Sequence, residues 1–285
     1  MISENSRIPF IDFGGRGDEL LFLHANGYPP DCYRPLLSRL AKTYHVTAMV
    51  QRPLWADSKP NEIDDWLPLT DDFLRFLDAH HTEPIACVGH SMGGIALLRA
   101  ALREPERFKA IALLDPVLFP PYFIALWNVM RSLKLGERFH PLVTGARQRR
   151  RQFDDLARLY NGYRRKSVFR YFDDEALHAY VEGIACKTES GGYQLCYSAE
   201  WEIRIYLTGI WRDMDIWRGL PKLNMPTFIV RGAETDTFRE RTGKLVQRKQ
   251  PKVQVEALEK STHLVALERP NEVSNLIQSF FEENL

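Results

Sequence analysis

The chain has 285 residues, 45% of them hydrophobic and 26% charged, which suits an ordinary globular protein of one large domain or one domain carrying an insertion. Thirty-eight basic against 37 acidic residues leave a formal net charge of +1, which argues against nucleic acid as a dedicated partner. The opening MISENSRIPF lacks the basic start and apolar run of a signal peptide, and no stretch approaches the roughly 18 apolar residues that cross a bilayer. A cytoplasmic protein without an integral membrane segment is therefore expected.

In chain order, apolar runs of strand length recur at ELLFLH (19–24), HVTAMV (45–50), PIACVG (84–89), KAIALLD (109–115), PTFIVRG (226–232) and KVQVEAL (252–258). Helical spacing fills most of the gaps: Tyr33, Leu36, Leu37 and Leu40; Trp66, Leu69, Phe73, Phe76 and Leu77; and Val273, Leu276, Ile277, Phe280 and Phe281. Alternating strands and helices predict an α/β fold, a mostly parallel central sheet flanked by helices. The alternation stops after Asp115-Pro116 and resumes near Leu220-Pro221. Three parts follow: a first core segment at 1–116, an insertion at 117–219, and a second core segment at 220–285. Leu177, Tyr180, Val181 and Ile184 share a helical face, as do Phe123, Leu126, Trp127 and Met130, so the insertion is predicted to be a helical cap. Cys32, Cys87, Cys186 and Cys196 show neither C-x-x-C spacing nor disulfide density, so packed, reduced thiols are expected, with a Cys186–Cys196 pair as the alternative.

The chemistry concentrates at PIACVGHSMGG, where Gly89, Gly93 and Gly94 surround Ser91. The pattern G-x-S-x-G is weak alone, but here it follows an apolar run and opens a helical pattern (Ile95, Leu98, Leu102), the strand–turn–helix setting of a nucleophile elbow. Such a turn strains the serine backbone and leaves no room for side chains at the flanking glycines. A serine hydroxyl needs a base to take its proton. Of the eight histidines, His263 is best placed, in the loop KSTHLVALERP between the last strand run and the last helix.

With these motifs together, in the order LLFLHANGYPP, GHSMGG, RGAETDTF and STHLVALERP, the chain resembles the α/β-hydrolase fold superfamily across residues 17–116 and 220–285. The resemblance implies a serine–acid–histidine triad in that chain order and an oxyanion hole of two backbone amides, with no metal or organic cofactor. Carried over position by position, Ser91 is the nucleophile, His263 the base and Met92 one oxyanion-hole amide. The other falls in His24-Ala25-Asn26-Gly27-Tyr28, with Asn26 preferred over Tyr28. The acid is assigned to Asp236 in the turn after PTFIVRG; Glu234 nearby and Asp115, at the end of the preceding strand, are the alternatives. A serine here is unlike the aspartate nucleophile of haloalkane dehalogenases and epoxide hydrolases.

Nine basic residues against two acidic ones lie between Arg147 and Arg170, either a solvated face or a field that draws anionic substrates or a membrane surface. Aromatics crowd the insertion, among them Tyr122, Phe123, Trp127, Phe139, Tyr206 and Trp217. Trp127, Tyr28 and Trp55 are the candidates to line an apolar substrate pocket. The expected activity is cleavage of a small-molecule carboxylic ester through an acyl-Ser91 intermediate. A carbon–carbon bond hydrolase on diketone-type substrates, an acyltransferase and a non-catalytic binding protein are the competing readings, because fold does not settle the substrate. Oligomeric state is not legible.

Overall fold

Every one of the six apolar runs becomes a strand of one seven-stranded sheet. The computed structural model describes residues 8–133, 140–189 and 191–285; residues 1–7, read above for a leader, and Phe139 lie outside the described residues. The strands are β1 (Phe10–Gly14), β2 (Glu19–Leu23), β3 (His45–Met49), β4 (Ile85–His90), β5 (Phe108–Leu114), β9 (Thr227–Gly232) and β10 (Gln254–Leu258), in the order β1-β3-β2-β4-β5-β9-β10. All neighbours are parallel except β1 and β3. Sequence periodicity missed β1 because it is a short edge strand whose FIDFG is exposed or half-buried throughout.

Side chains alternate between the two faces of the sheet. Leu21, Leu23, Cys87, Ile111, Leu113 and Ile229 face one core with α2 (Leu67–His80) and α3 (Met92–Arg103), where Phe73, Phe76, Leu77, Ile95 and Leu98 are buried. Leu20, Phe22, Ala86, Val88, Ala110, Ala112, Phe228 and Val230 face the other, against α1 (Arg34–Leu40) and the terminal helix Pro270–Asn284. Each fully buried Leu, Ile or Phe contributes about 1.5–3 kcal/mol, so both cores hold the sheet's C-terminal edge firmly in place.

Between β5 and β9 lie α4 (Pro121–Ser132), further helices at Pro141–Gln148, Leu156–Arg164, Asp174–Ile184, Ala199–Thr208 and Met214–Gly219, and a small antiparallel sheet. That sheet, ordered β6-β8-β7, comprises β6 (Gln152–Phe153), β7 (Ala185–Lys187) and β8 (Tyr193–Leu195), strands too short to show a period of two. Leu177, Tyr180, Val181 and Ile184 do share a buried face, but it joins the core of the main sheet; Gly183 sits so close to the 31–32 backbone that a Cβ would lie 2.5 Å from the Cys32 nitrogen. On α4 the expected stripe does not form a core: Ile124 is buried, Leu126 is 60% exposed, and Phe123 and Trp127 are partly covered.

Cys186 and Cys196 form a disulfide, contrary to the expectation of reduced thiols; Cys32 and Cys87 are free and buried. Antiparallel pairing of β7 with β8 brings the two cysteines to a Cα separation of 5.2 Å, within bonding reach, and the linear spacing gives no sign of that pairing. Stable disulfides belong to oxidising compartments, which leaves the cytoplasmic expectation without support from the cysteines. No helix among the described residues is long and apolar enough to cross a membrane.

Candidate active site

β4 runs fully buried through the middle of the sheet and hands the chain to α3 across a single residue, Ser91. Its φ of 56° and ψ of −116° are disfavoured for a side-chain-bearing residue and place the hydroxyl above the sheet edge. The glycines make the reversal possible through space rather than through special dihedrals. A Cβ on Gly93 would lie 2.5 Å from the Leu23 carbonyl oxygen, and one on Gly89 would lie 2.8 Å from that of Gly93. No side chain fits at either position.

His263 arrives from the turn before the short helix Val265–Glu268. Its Nε2 lies 2.9 Å from Ser91 Oγ and its Nδ1 lies 2.8 Å from Asp115 Oδ1. A carboxylate only accepts, so Nδ1 carries the proton, and the neutral ring is left to accept the Ser91 hydroxyl proton at Nε2. The carboxylate facing His263 is therefore Asp115 and not the expected Asp236. Asp236 is exposed and accepts from Thr237 Oγ1 at 3.2 Å, while Glu234 is engaged by Arg170 at 2.7 Å and Tyr171 at 2.6 Å. The turn after β9 wraps around the Asp115 carboxylate: the Gly232 amide donates to Oδ2 at 3.0 Å and Thr235 Oγ1 to Oδ1 at 2.8 Å. Asp115, fully buried at φ 40°, is the second strained residue of the constellation.

A buried chain of hydrogen bonds joins the three loops. His90 Nε2 faces the His263 carbonyl at 2.9 Å, and a carbonyl accepts, so Nε2 is the protonated nitrogen. Nδ1 then accepts from Tyr33 Oη at 2.6 Å, and Tyr33 Oη in turn accepts the Ala25 amide at 3.2 Å. Burial lowers the His90 pKa to about 3, so it stays neutral. His24, lowered to about 4 by burial, accepts the Gln51 amide at Nε2 and donates from Nδ1 to the Ala25 carbonyl at 2.9 Å. On the other side of His263, the buried Glu268 carboxylate accepts the Thr262 amide at 2.6 Å and hydroxyl at 2.9 Å; burial raises its pKa. None of Tyr33, His90, Thr235 or Glu268 was singled out for such a part from sequence, apart from the placing of His90 inside the elbow pattern.

Ser91, Met92, Asn26 and His263 line a cavity of about 1610 Å³ with Tyr28, Phe119, Phe123, Trp127 and Tyr206. Among the described residues the backbone amides of Met92 and Asn26 have no hydrogen-bond partner, whereas the Tyr28 amide is bonded to the Ala25 carbonyl at 3.3 Å. Tyr28 and Trp127 line the cavity as expected. Trp55 does not: its indole donates to the Val50 carbonyl at 2.7 Å and its ring lies under Arg52, outside the cavity. Two polar atoms of the lining residues, Asn26 Oδ1 and Trp127 Nε1, are buried without a partner among the described residues.

Within the basic run several side chains are paired with carboxylates or carbonyls, and others reach the cavity without a carboxylate partner. Arg149 forms a two-pronged pair with the buried Glu202, at 3.1 and 3.0 Å, and Glu202 also accepts from Tyr206 at 3.2 Å. Arg151 donates to the Tyr197 carbonyl, Arg158 pairs with Asp154, Arg164 with Asp174 at 2.7 Å and Arg170 with Glu234. Arg150, Arg165 and Lys166 line the cavity without a described carboxylate within 4.0 Å.

This fold and this constellation coincide with a family match: residues 20–276 fit the model of the alpha/beta hydrolase family, and the chain belongs to that family. Among curated relatives, it is 33% identical over 114 residues to the dihydrolipoyllysine-residue acetyltransferase component of the acetoin cleaving system of Cupriavidus necator, covering 40% of this chain and 30% of that one. It is 23% identical to bifunctional epoxide hydrolase 2 of Mus musculus, over 95% of this chain and 52% of that one. The chain thus spans about half or less of the length of these two relatives. Among solved structures, E-2-(acetamidomethylene)succinate hydrolase superposes with a TM-score of 0.76 at 18% identity, over 96% of this chain and 94% of that one, a likeness of fold.

Proposed function

We propose that the chain is a serine hydrolase that cleaves a carboxylic ester of a small molecule through an acyl-enzyme at Ser91. The observation that carries this reading is the continuous line Ser91 Oγ–His263 Nε2–His263 Nδ1–Asp115 Oδ1, at 2.9 and 2.8 Å. In attack, Ser91 Oγ bonds to the acyl carbon while its proton passes to His263 Nε2. The Nδ1–H remains with His263 and its bond to Asp115 stabilises the imidazolium. The Met92 and Asn26 amides, without partners among the described residues, serve as the oxyanion hole in this reading, and a donor of this kind is worth about 3–4 kcal/mol in the transition state. Collapse breaks the ester C–O bond, and the leaving alkoxide takes the proton from His263. Water then gives a proton to His263 as it attacks acyl-Ser91, and the acid and free enzyme result. The segment 117–219 serves as the cap, supplying Phe123, Trp127, Arg149 and Tyr206 to the cavity above Ser91.

A fluorophosphonate probe tests the reading. It is expected to label Ser91, located by mass spectrometry, and Ser91→Ala is expected to lose both labelling and ester turnover. An adduct elsewhere, or none under conditions that label a control serine hydrolase, overturns it.

A further inference from the structure

The reading of Ser91 as an ester-cleaving nucleophile leaves unexplained why one end of its cavity is cationic. Asn26, Arg149, Tyr163 and Lys166 line the cavity, and behind them the buried Glu202 accepts Asn26 Nδ2 at its carbonyl at 3.3 Å and holds Arg149 at its carboxylate. Lys166 Nζ sits 4.3 Å from the Tyr163 ring centroid, with no described carboxylate within 4.0 Å. Lys166 is an exposed residue, and desolvation by its neighbours, then the Arg149 charge, lower its pKa. Glu202 cannot relieve it, because Arg149 already occupies both carboxylate oxygens. The surrounding Tyr28, Tyr163 and Tyr180 are kept neutral by burial, which raises each phenol's pKa, so they supply no anion either.

We infer that this end of the cavity, bounded by Arg149, Tyr163 and Lys166, is a subsite for a carboxylate carried by the substrate at a position remote from the scissile ester. The charges of Arg149, Glu202 and Lys166 leave one positive charge uncompensated, which a monoanion balances and a phosphate dianion exceeds. The other cations of this rim, Arg150 and Arg165, are exposed, as Lys166 is, and add a screened attraction for the same charge. Phe119, Phe123 and Trp127 line the same cavity and offer apolar contact, so the fitting substrate is an ester with an apolar part and an acidic end.

The test rests on the ester-hydrolase reading and is arranged to separate the two. Turnover of 4-nitrophenyl hemiesters of glutaric, adipic and suberic acid is compared with that of neutral esters of matched length, in wild type, Lys166→Gln and Lys166→Arg. A charge-assisted contact of this kind is expected to give at least about tenfold preference in kcat/KM for the anionic series, carried mainly in KM. Lys166→Gln is expected to lower the anionic-to-neutral ratio by about that factor, Lys166→Arg to restore it, and added salt to reduce it. In parallel, calorimetric titration of Ser91→Ala with free glutarate, adipate and suberate reads the subsite without any turnover, and Lys166→Gln in that background is expected to weaken binding to the same extent. Equal loss for anionic and neutral esters, or dicarboxylate binding indifferent to Lys166, overturns the carboxylate subsite. If no ester is turned over and Ser91 resists the fluorophosphonate while dicarboxylates still bind through Lys166, the ester reading falls and the subsite stands.

Discussion

Asp115 and Asp236 offer the same functional group a few residues from the catalytic edge, and geometry separates them. Asp115 Oδ1 meets His263 Nδ1 directly, and the Gly232 amide and Thr235 hydroxyl hold the carboxylate in that pose. Replacing it by asparagine keeps the shape but removes the charge that selects the Nδ1–H tautomer. Asp115→Asn is therefore expected to cut kcat by up to about 10⁴, and Asp236→Asn to stay within a few-fold of wild type. Steady-state kinetics of the two variants decide it, and a crippled Asp236→Asn beside an active Asp115→Asn reverses the assignment. Thr235 shows what the loop RGAETDTF contributes: a donor to the acid rather than the acid itself.

At the scale of elements, three chain segments must keep register: the loop after β2 with Asn26, the elbow between β4 and α3, and the His263 turn. The path from the Ala25 amide through Tyr33 and His90 to the His263 carbonyl ties them together, and its middle links, Tyr33 and His90, lie outside the cavity lining that Ala25 and His263 belong to. Tyr33→Phe removes its central hydroxyl and leaves the Ala25 amide and His90 Nδ1 without their partner. The expected outcome is a loss of about 1–3 kcal/mol in stability. With it comes a fall in kcat of roughly ten- to a hundredfold at nearly constant KM, because the reacting groups lose alignment while the cavity walls stay. Denaturant titration and full kinetics of this variant measure both, and an unchanged kcat shows the path to be purely structural. The helix Asp174–Ile184 makes a related point: its buried face was readable from spacing, but its docking on the 30–33 turn was not, since an apolar stripe does not name its partner.

For the molecule as a whole, buried titratable groups set the pH response of stability. His24 and His90 have folded pKa values of about 4 and about 3 against an ordinary 6.5, so below pH 6.5 the unfolded chain binds protons that the native state refuses. Their stabilisation is complete above pH 6.5 and is lost as pH falls toward their folded values. Asp213 acts in the opposite sense: burial raises it to about 6 despite its 2.6 Å bond from Arg99, so the native state takes up a proton first and gains stability as pH falls below 6. Two histidines outweigh one carboxyl, and a net loss on the order of 2 kcal/mol is expected between pH 7 and pH 5.5. Guanidinium denaturation at the two values checks it; an equal or higher stability at pH 5.5 contradicts the burial of these histidines as neutral rings.

Six strands, the faces of the flanking helices and the sharp turn at Ser91 were legible in the linear chain because each is written in a local signal, and the placing of His263 beside Ser91 was read from its position between the last strand and the last helix. Periods of two and about 3.6 report which face is buried, and glycines bracketing a serine report a backbone approach too close for any Cβ. The partner of His263, the pairing of Arg149 with Glu202, the Cys186–Cys196 bridge and the outward placing of Trp55 carry no such mark. Each depends on which surfaces of distant segments meet after packing. Asp115 and His263 are 148 positions apart, and only the turn after β9, folding back over the end of β5, makes one carboxylate the neighbour of the imidazole and leaves the other in solvent.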